Sequence, residues 1–358
     1  MAREALMTLS DREMVLDGSY GEGGGQILRT ALSLAAIQGW PIAIENIRAG
    51  RPQPGLRPQH LAAVRAIAAI CGAETSGDRV GSRRLSLRPG HPPRAGNYVF
   101  DVSELAGTGS AGAVSLVFQT ILLPLALAEG DSTVVLRGGT HVPWSPSVHY
   151  LSEVYLPSVC RLGIDASLRL RRWGWYPRGG GEVVAHIRGG AVLRPHRWQT
   201  RGALLEVRIL SATSNLPEHI RSRQAQQARR RLSEVKVPMR VELVDAPASS
   251  PGTCLFLAAR FEESVAGFEA LGRRGVPAER VADEAVDEFL AFLGRSGAVD
   301  PHLADQLILP LALSGGALTT TRVTRHLLTN IWVVERFLGA RFELIGEEGA
   351  EGLVRCLS

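Results

Sequence analysis

The chain has almost no lysine. Lys236 is the only one among 358 residues, and every other basic residue is arginine. A Walker-type phosphate loop needs a glycine-rich segment that ends in Lys-Ser or Lys-Thr, and the sequence contains none. A lysine nucleophile could only be Lys236, which stands in a polar stretch without a glycine-rich or acidic frame. Neither kind of lysine chemistry is expected.

Cysteines and long apolar runs are also scarce. The four cysteines, Cys71, Cys160, Cys254 and Cys356, lie too far apart to form a Cys-x-x-Cys pair for zinc or redox chemistry. The longest apolar stretch, residues 113–128, is interrupted by polar residues and proline. It is also shorter than the ~20 residues of a membrane helix. We expect a buried core helix there, no membrane segment or secretory leader, and a cytoplasmic protein.

The overall composition is that of a folded protein, with 45% hydrophobic and 21% charged residues. The net charge of +5 is compatible with a polyanionic partner but does not require one. The length indicates two domains, or one domain built from repeats.

One pattern recurs three times along the chain. An apolar helix leads to a glycine and a strand, and a second helix then ends at another glycine before further strands. The first helices are predicted to open near Gln26, Gln119 and Gln306, and the second helices to span 60–71, 147–162 and 326–338. A histidine lies twelve to fourteen residues before each closing glycine, at His60, His149 and His326. The three copies predict a repeat architecture of helices on small sheets.

Residues 194–297 do not follow this pattern. They contain an arginine-rich segment, 219–231, which is predicted to be a helix with a solvated face, and a second helix over 279–293. We interpret the block as an inserted domain between the second and third copies. The predicted division is a large repeat domain of residues 1–193 and 298–358, with the insert between them.

A glycine-rich segment, Asp17 to Gln26, runs directly into the first predicted helix. Glycines before a helix leave backbone N–H groups free to hold an anion, although a purely structural turn has the same composition. Glu22 favours the anion site, because a carboxylate beside a phosphate is useful when a divalent cation bridges them. The glycine segments 107–112 and 138–140 look like equivalents in the second copy.

Basic and polar residues follow this segment, around the first strand and the second helix. The basic ones are Arg29, Arg48, Arg51, Arg57 and His60, and the polar one is Gln59. Arginine guanidinium groups can each donate two hydrogen bonds to phosphate oxygens. Arginines at a strand end and at a helix start can lie close enough together to bind one polyanion. The alternative is a solvated basic surface.

His326 stands at the start of the third copy's second helix. A helix N-terminus disfavours an imidazolium and attracts phosphate, so we expect a neutral ring near pH 7 that can attack phosphorus. Asp305 and Gln306 could orient a base, bind metal or contact a nucleotide. The alternatives are a capping or packing role for His326 and a helix N-terminal charge for Asp305.

Separate sequence blocks in a fixed order carry a family resemblance. They are Leu16-Asp-Gly, Gly21-Glu-Gly-Gly-Gly-Gln-Ile-Leu-Arg29, Ile47-Arg-Ala-Gly-Arg51, Pro54-Gly-Leu, Gln59-His60, Asp305-Gln306-Leu, and His326-Leu-Leu-Thr-Asn-Ile followed by Val-Glu-Arg-Phe337. From about Met14 to the end, the chain resembles the RNA 3′-terminal phosphate cyclase family. The resemblance implies an α/β (α+β) fold of three βαβαββ-like repeats around a pseudo-threefold axis, with a small inserted α/β domain.

The resemblance also implies an activity. Members convert an RNA 3′-phosphate to a 2′,3′-cyclic phosphodiester with ATP and a divalent cation, Mg²⁺ or Mn²⁺. The histidine that matches His326 attacks the α-phosphorus of ATP to form a covalent histidine–AMP. AMP then passes to the RNA 3′-phosphate as RNA(3′)pp(5′)A, and the vicinal 2′-OH closes the ring and expels AMP.

Residue roles follow from the same motifs. Glu22 resembles the metal–phosphate carboxylate. The phosphate and RNA-end set would be Arg29, Arg48, Arg51, Gln59 and His60. The nucleotide pocket would be Gln119, Pro146, His302, Asp305 and Gln306. His302 departs from the tyrosine that the family often has, and Phe268 lies in the segment from which the family sends an aromatic ring toward adenine.

Three further questions stay open at this point. An inactive RNA-binding or ribosome-assembly paralogue is the alternative function, although such proteins lack the histidine that this chain keeps at position 326. An enolpyruvyl transferase shares the repeat but is longer and has two comparable halves. The oligomeric state is undetermined, with a homodimer as one option.

Overall fold

The computed structural model describes residues 13–103, 111–339 and 341–357. The strands are β1 Met14–Asp17, β2 Ile42–Glu45, β3 Glu74–Ser76, β4 Leu85–Arg88, β5 Asn97–Asp101, β6 Ser132–Gly138, β7 Ala166–Arg172, β8 Gly181–Ile187, β9 His196–Trp198, β10 Leu204–Ser214, β11 Met239–Asp245, β12 Gly252–Phe261, β13 Val265–Leu271, β14 Gly316–Thr320, β15 Arg341–Ile345 and β16 Gly352–Leu357. The helices are α1 Gln26–Gln38, α2 Pro58–Cys71, α3 Val114–Leu127, α4 in three consecutive segments (Val148–Tyr150, a π-helical Leu151–Tyr155, and Leu156–Cys160), α5 Glu218–Arg231, α6 Ala278–Leu293, α7 Pro301–Ser314 and α8 Arg325–Leu338.

Three sheets share one topology, in the orders β1-β2-β4-β3, β5-β6-β8-β7 and β9-β14-β16-β15. In each, the first two strands are parallel and the remaining pairs are antiparallel. A parallel pair needs a crossover connection, which the first helix of each copy supplies. The predicted three repeats of an α/β fold are confirmed.

The fourth sheet, β11-β10-β12-β13, belongs to the block that breaks the repeat. Helices α5 and α6 cover it, and it has its own apolar cluster with Val207, Leu255, Phe268 and Phe289. The sequence places this block between the second and third copies. The strand pairing places it inside the third copy, because β9 lies beside β14. The domain limits at 194 and 297 stay a prediction, and the first of them falls just before β9.

The helix ends follow the glycines that the sequence singles out. Gly39, Gly72 and Gly339 each adopt the left-handed conformation directly after α1, α2 and α8. Two helix starts were predicted too late, since α3 begins at Val114 and α7 at Pro301. Helix α3 is buried along almost all of its length, as expected for the apolar stretch. Over the residues that the structure covers, none of the helices has the length and apolar character to cross a membrane.

Helix packing brings the starts of α1, α2 and α8 together. Helix α1 packs against α3 and α8, while α2 packs against α3. A buried hydrogen bond fixes the α1–α8 pair, with the Thr30 hydroxyl donating to Asn330 Oδ1 at 2.7 Å. Asn330 Nδ2 in turn donates to the Asp305 carbonyl of α7 at 2.8 Å. The glycine segment before α1 therefore faces the first turn of α8.

Candidate active site

The glycine segment before α1 forms one wall of a cleft. Gly21 and Gly23 have left-handed φ values of 61° and 58°, which other residues rarely adopt. A Cβ at Gly24 would overlap the Glu22 carboxylate, and one at Gly25 would overlap the His60 ring. The glycines are therefore needed both for the turn and for the close approach of two functional side chains.

Glu22 lies at the centre of this wall. Its Oε1 accepts from His326 Nε2 at 2.9 Å and from Arg51 Nη2 at 3.2 Å. Burial by itself would raise the pKa of Glu22, but the hydrogen bond from His326 and the charges of His326, Arg51 and Arg29 outweigh it and hold the pKa below its usual range. Glu22 is therefore an ionised carboxylate.

His326 is the second residue of α8, whose N-cap Thr324 accepts the Leu327 N–H at 3.0 Å. The hydrogen bond to Glu22, followed by the Glu22 charge, raises the pKa of His326 above its usual value despite burial. The expectation of a pKa held down by the helix N-terminus is therefore wrong in direction. A full carboxylate charge in contact with the ring outweighs the partial charge of the helix end.

Arginines also line the cleft, two of them beside the glycine segment. Burial lowers the pKa of Arg29 to about 10, partly offset by Glu22, so its guanidinium stays charged at pH 7. Arg48 has a left-handed φ of 54°, and its Nη1 donates to the carbonyls of Gln53 at 2.7 Å and Gly55 at 3.2 Å. Burial and the charges of Arg57 and Arg51 lower the pKa of Arg48. These like charges crowd together, which favours an anion between them.

His60 sits behind these arginines at the start of α2. Its Nδ1 accepts the Arg57 N–H at 3.1 Å, so the neutral ring carries its proton on Nε2, beside Gly25. Burial, followed by the charges of Arg29, Arg48 and Arg57, lowers the pKa of His60 to about 3. The neighbouring Gln59 Oε1 accepts the Ala113 N–H at 3.4 Å. His60 can therefore donate a hydrogen bond without adding charge.

Polar residues of α3 and α7 also line the cleft. Gln119 Nε2 donates to Gln306 Oε1 at 2.7 Å. Asp305 is buried and accepts from the Thr324 hydroxyl. Burial raises the pKa of Asp305 to about 6 in spite of that hydrogen bond. Helix α7, which carries Asp305, is thus connected at the site with Thr324, the N-cap of the helix that carries His326.

A single cleft of about 650 Å³ contains every predicted site residue. Those residues are Glu22, Arg29, Arg48, Arg51, Gln59, His60, Gln119, Pro146, His302, Asp305, Gln306 and His326. Lining residues that sequence reasoning missed include Trp144, Ser145, Tyr150, Glu269 and Glu288. Glu269 and Glu288 come from β13 and α6, and no local pattern in the sequence connects them with the repeats.

Two predictions about neighbouring segments are not supported by the structure. Phe268 does not line the cleft but packs in the small sheet's core, with its ring 5.5 Å from that of Phe289. In the segment 138–140, the Gly139 and Thr140 N–H groups donate to the carbonyls of Gly112 and Gly174, so they are not free for an anion. Residues 107–110 of the other glycine segment lie outside the described residues.

Comparison with known proteins decides the family. Residues 20–344 match the family model described as RNA 3′-terminal phosphate cyclase. Relatives of that name include a protein of Methylococcus capsulatus, 51% identical over 343 residues that cover 95% of each chain. One from Gloeothece citriformis is 48% identical over 92% of this chain and 95% of its own. One from Pyrococcus abyssi is 42% identical, with 96% and 98% covered.

The chain belongs to the RNA 3′-terminal phosphate cyclase family. The match over residues 20–344 includes parts of all three repeats and the inserted sheet, which argues against an enolpyruvyl transferase. The cyclase family places its members among the ligases.

Of the four carboxylates that line the cleft, Glu22 has a lowered pKa, whereas burial raises the pKa of Glu269, Glu288 and Asp305. Within residues 13–103, 111–339 and 341–357, no three His, Cys, Asp or Glu side chains lie close enough to hold a metal ion. Mg²⁺ commonly binds through one or two carboxylates together with substrate phosphates. Glu22 fits that mode of binding, which needs no complete protein cage.

Proposed function

We propose that this protein converts an RNA 3′-terminal phosphate to a 2′,3′-cyclic phosphodiester with ATP as co-substrate. The observation that carries the proposal is the position of His326, whose Nε2 lies 2.9 Å from Glu22 in a cleft also lined by four arginines. An imidazole beside an anion-binding wall is suited to nucleophilic attack on phosphorus. Family membership supplies the reaction class.

In the first step, the ring nitrogen of His326 attacks the α-phosphorus of ATP. A P–N bond forms, the bond to the bridging oxygen breaks, and pyrophosphate leaves. The proton that His326 Nε2 shares with Glu22 must leave before this nitrogen can attack, and the Glu22 carboxylate is placed to accept it. A divalent cation, Mg²⁺ or Mn²⁺, would be held by Glu22 and phosphate oxygens and would neutralise charge on the phosphates.

In the later steps, the RNA end displaces the histidine. An oxygen of the RNA 3′-phosphate attacks the adenylyl phosphorus, His326 leaves, and RNA(3′)pp(5′)A results. The 2′-OH then attacks the 3′-phosphorus, which closes the ring and releases AMP. A ring closure of this kind requires the 2′-OH that distinguishes RNA from DNA.

We propose that two groups of cleft residues bind different ligands. We assign the RNA 3′-phosphate to the basic group, which consists of Arg29, Arg48, Arg51, Gln59 and His60. There the Nε2–H of His60 and the guanidinium groups would donate to phosphate oxygens. We assign the adenosine to Gln119, Pro146, His302, Asp305 and Gln306. The cytoplasmic location and the oligomeric state stay predictions.

The first step can be tested without RNA. Incubation with α-³²P ATP and Mg²⁺ or Mn²⁺ should leave a labelled protein band on a denaturing gel. The label should be labile in acid and stable in base, as a phosphoramidate is. His326→Ala should remove it completely. His219→Ala is a matched control, because His219 is also the second residue of a helix, α5, but is exposed and lies outside the cleft.

The outcome separates the enzyme from an inactive RNA-binding relative. Label in the wild type and in His219→Ala, with none in His326→Ala, supports the proposed nucleophile. Label that persists in His326→Ala would assign the nucleophile elsewhere. No label in any folded variant, with RNA binding retained, would instead favour the RNA-binding or ribosome-assembly function.

A further inference from the structure

The loop between β6 and α4 presents one tryptophan to solvent. Trp144 is 92% exposed, more than any other large apolar side chain in the described part of the chain. Its backbone has a left-handed φ of 63°, a conformation that is costly for a bulky residue. A strained backbone that exposes a tryptophan has no evident benefit for folding, so the arrangement points to a ligand.

The loop is held firmly in place on both sides of Trp144. The Ser145 hydroxyl donates to the Val142 carbonyl at 3.1 Å, and the Val148 N–H donates to the Thr140 carbonyl at 3.1 Å. The Ser147 N–H donates to Glu269 Oε1 at 3.0 Å. Because the surrounding backbone is fixed, the indole is presented in a defined place, at little entropic cost to a ligand that stacks on it.

Trp144 lines the cleft and is 92% exposed, so it lies at the rim of that cleft. On one side, Val142 packs with Ala113, and the Ala113 N–H donates to Gln59 in the proposed RNA-end set. On the other side, Pro146 belongs to the proposed nucleotide pocket. Because Trp144 lines the same cleft as the basic residues, a nucleotide whose 3′-phosphate bound those residues would have its base within the cleft that Trp144 borders.

We propose that Trp144 stacks on the base of the 3′-terminal nucleotide of the RNA and holds that nucleotide while its phosphate reacts. This inference rests on the proposed function. Stacking on an open indole is tolerant of sequence, because every base has a π-face, and an enzyme that acts on RNA ends of any sequence needs such tolerance. Adenine of ATP has to be told apart from other bases, which calls for directed hydrogen bonds rather than one exposed face.

The inference can be tested by separating the RNA step from the ATP step. Trp144→Ala should raise the KM for a 3′-phosphorylated RNA in cyclisation by about 5- to 100-fold, the range expected for loss of one base–aromatic stack. Trp144→Phe keeps a ring and should recover most of the loss. Transfer of label from α-³²P ATP to the protein without RNA should change less than twofold in Trp144→Ala. Val192→Ala, which trims another highly exposed apolar side chain outside the cleft, is the control.

An RNA that lacks only its terminal base gives an independent readout. In the wild type this substrate should show the same rise in KM as Trp144→Ala, and the variant should show no additional rise. Tryptophan fluorescence should be quenched by the intact RNA in the wild type and much less in Trp144→Phe.

The outcomes are distinguishable. An equal loss of label transfer and of RNA cyclisation in Trp144→Ala would overturn the proposal in favour of stacking on adenine. Unchanged KM and unchanged quenching would overturn it in favour of no ligand contact. If the wild type takes up no label, the proposed function fails, and the fluorescence titration with RNA still decides whether Trp144 contacts a base.

Discussion

At the scale of single residues, the contact between Glu22 and His326 determines the state of the proposed nucleophile. The carboxylate raises the pKa of His326, so the ligand-free ring holds its proton to a higher pH than an isolated histidine. Glu22→Gln removes the charge but keeps an oxygen acceptor. We expect the pKa of His326 to fall, and ¹H–¹³C NMR titration of the ring should show it. An unchanged His326 titration would contradict the role given to Glu22.

Asp305 gives a prediction about stability. Burial raises its pKa in the folded protein from 3.8 to about 6. The raised pKa means that the folded state favours protonated Asp305. The contribution of this group to the free energy of unfolding is therefore most favourable at low pH and is lost as the pH rises through about 6. Asp305→Asn should therefore increase the free energy of unfolding by about 3 kcal/mol at pH 8 and by about half of that at pH 5.

Urea unfolding at both pH values would measure this difference. Asp165→Asn serves as the control, because its carboxylate is mostly exposed and should show no comparable pH dependence. An Asp305→Asn variant that is less stable than the wild type at pH 8 would show that the hydrogen bond from Thr324 outweighs the burial cost. The variant should also lose label transfer if Asp305 contacts the nucleotide as proposed.

Single residues differ in how much of their role the sequence can predict. The sequence predicts chemical roles for Glu22 and His326 because the glycines and the helix starts around them can be recognised from neighbouring residues alone. Their mutual effect on pKa could not be predicted, because it depends on a contact between residues more than 300 positions apart. Phe268 was misplaced for a related reason, since alternation along a strand decides which face a residue occupies and the register was not readable.

At the scale of elements, helix ends were easier to predict than helix starts. The closing glycines Gly39, Gly72 and Gly339 mark their positions directly. Helix α7 begins earlier than predicted because Asp300 caps it, accepting the N–H groups of His302 and Leu303, and Pro301 occupies its first position. The first turn of α7 precedes the apolar run from which its start was predicted. Asp300 and Pro301 were the sequence signals that could have indicated the earlier start.

Asn330 joins three elements, and its loss should be costly. It accepts from Thr30 at 2.7 Å and from Gln26 at 2.9 Å, and it donates to the Asp305 carbonyl at 2.8 Å. Asn330→Ala leaves buried polar groups unpaired, so we expect a loss of about 2–4 kcal/mol in the free energy of unfolding. Urea denaturation checks this, with the exposed Asn97→Ala as control. A loss below about 1 kcal/mol would mean that the groups find other partners.

At the scale of the whole molecule, the third repeat could not be delimited from the sequence. Its first strand, β9, has three residues, too few for a period to be recognised, and about a hundred residues separate it from α7. The inserted block is tied to the repeats through Asp300, which accepts from the Tyr150 hydroxyl at 2.8 Å and the Gly267 N–H at 3.4 Å. The hydrogen bond between Gly267 and Asp300 helps to hold β13 at the cleft, where Glu269 is a lining residue.

The positive charge of the molecule is unevenly neutralised. Two arginines of α5, a helix predicted to have a solvated face, are paired with acidic residues of α6, Arg223 with Glu279 at 2.7 Å and Arg231 with Asp283 at 2.8 Å. In the cleft, Arg29, Arg48 and Arg57 have no carboxylate within 4.0 Å among the residues that the structure covers. RNA should therefore bind at the cleft rather than along α5.

Salt dependence tests this distribution. Each phosphate contact with a single strand contributes a slope of about −0.7 to the plot of log binding constant against log salt concentration. Arg57→Ala should weaken RNA binding and reduce the size of that slope by about 0.7, while Arg57→Lys keeps the charge and should retain the slope.

Arg223→Ala is the control. It should leave both affinity and slope within error, because the Arg223 guanidinium is already paired with Glu279. Fluorescence anisotropy of a labelled 3′-phosphorylated RNA at several salt concentrations measures all three variants. A larger effect from Arg223→Ala than from Arg57→Ala would move the RNA path from the cleft to α5.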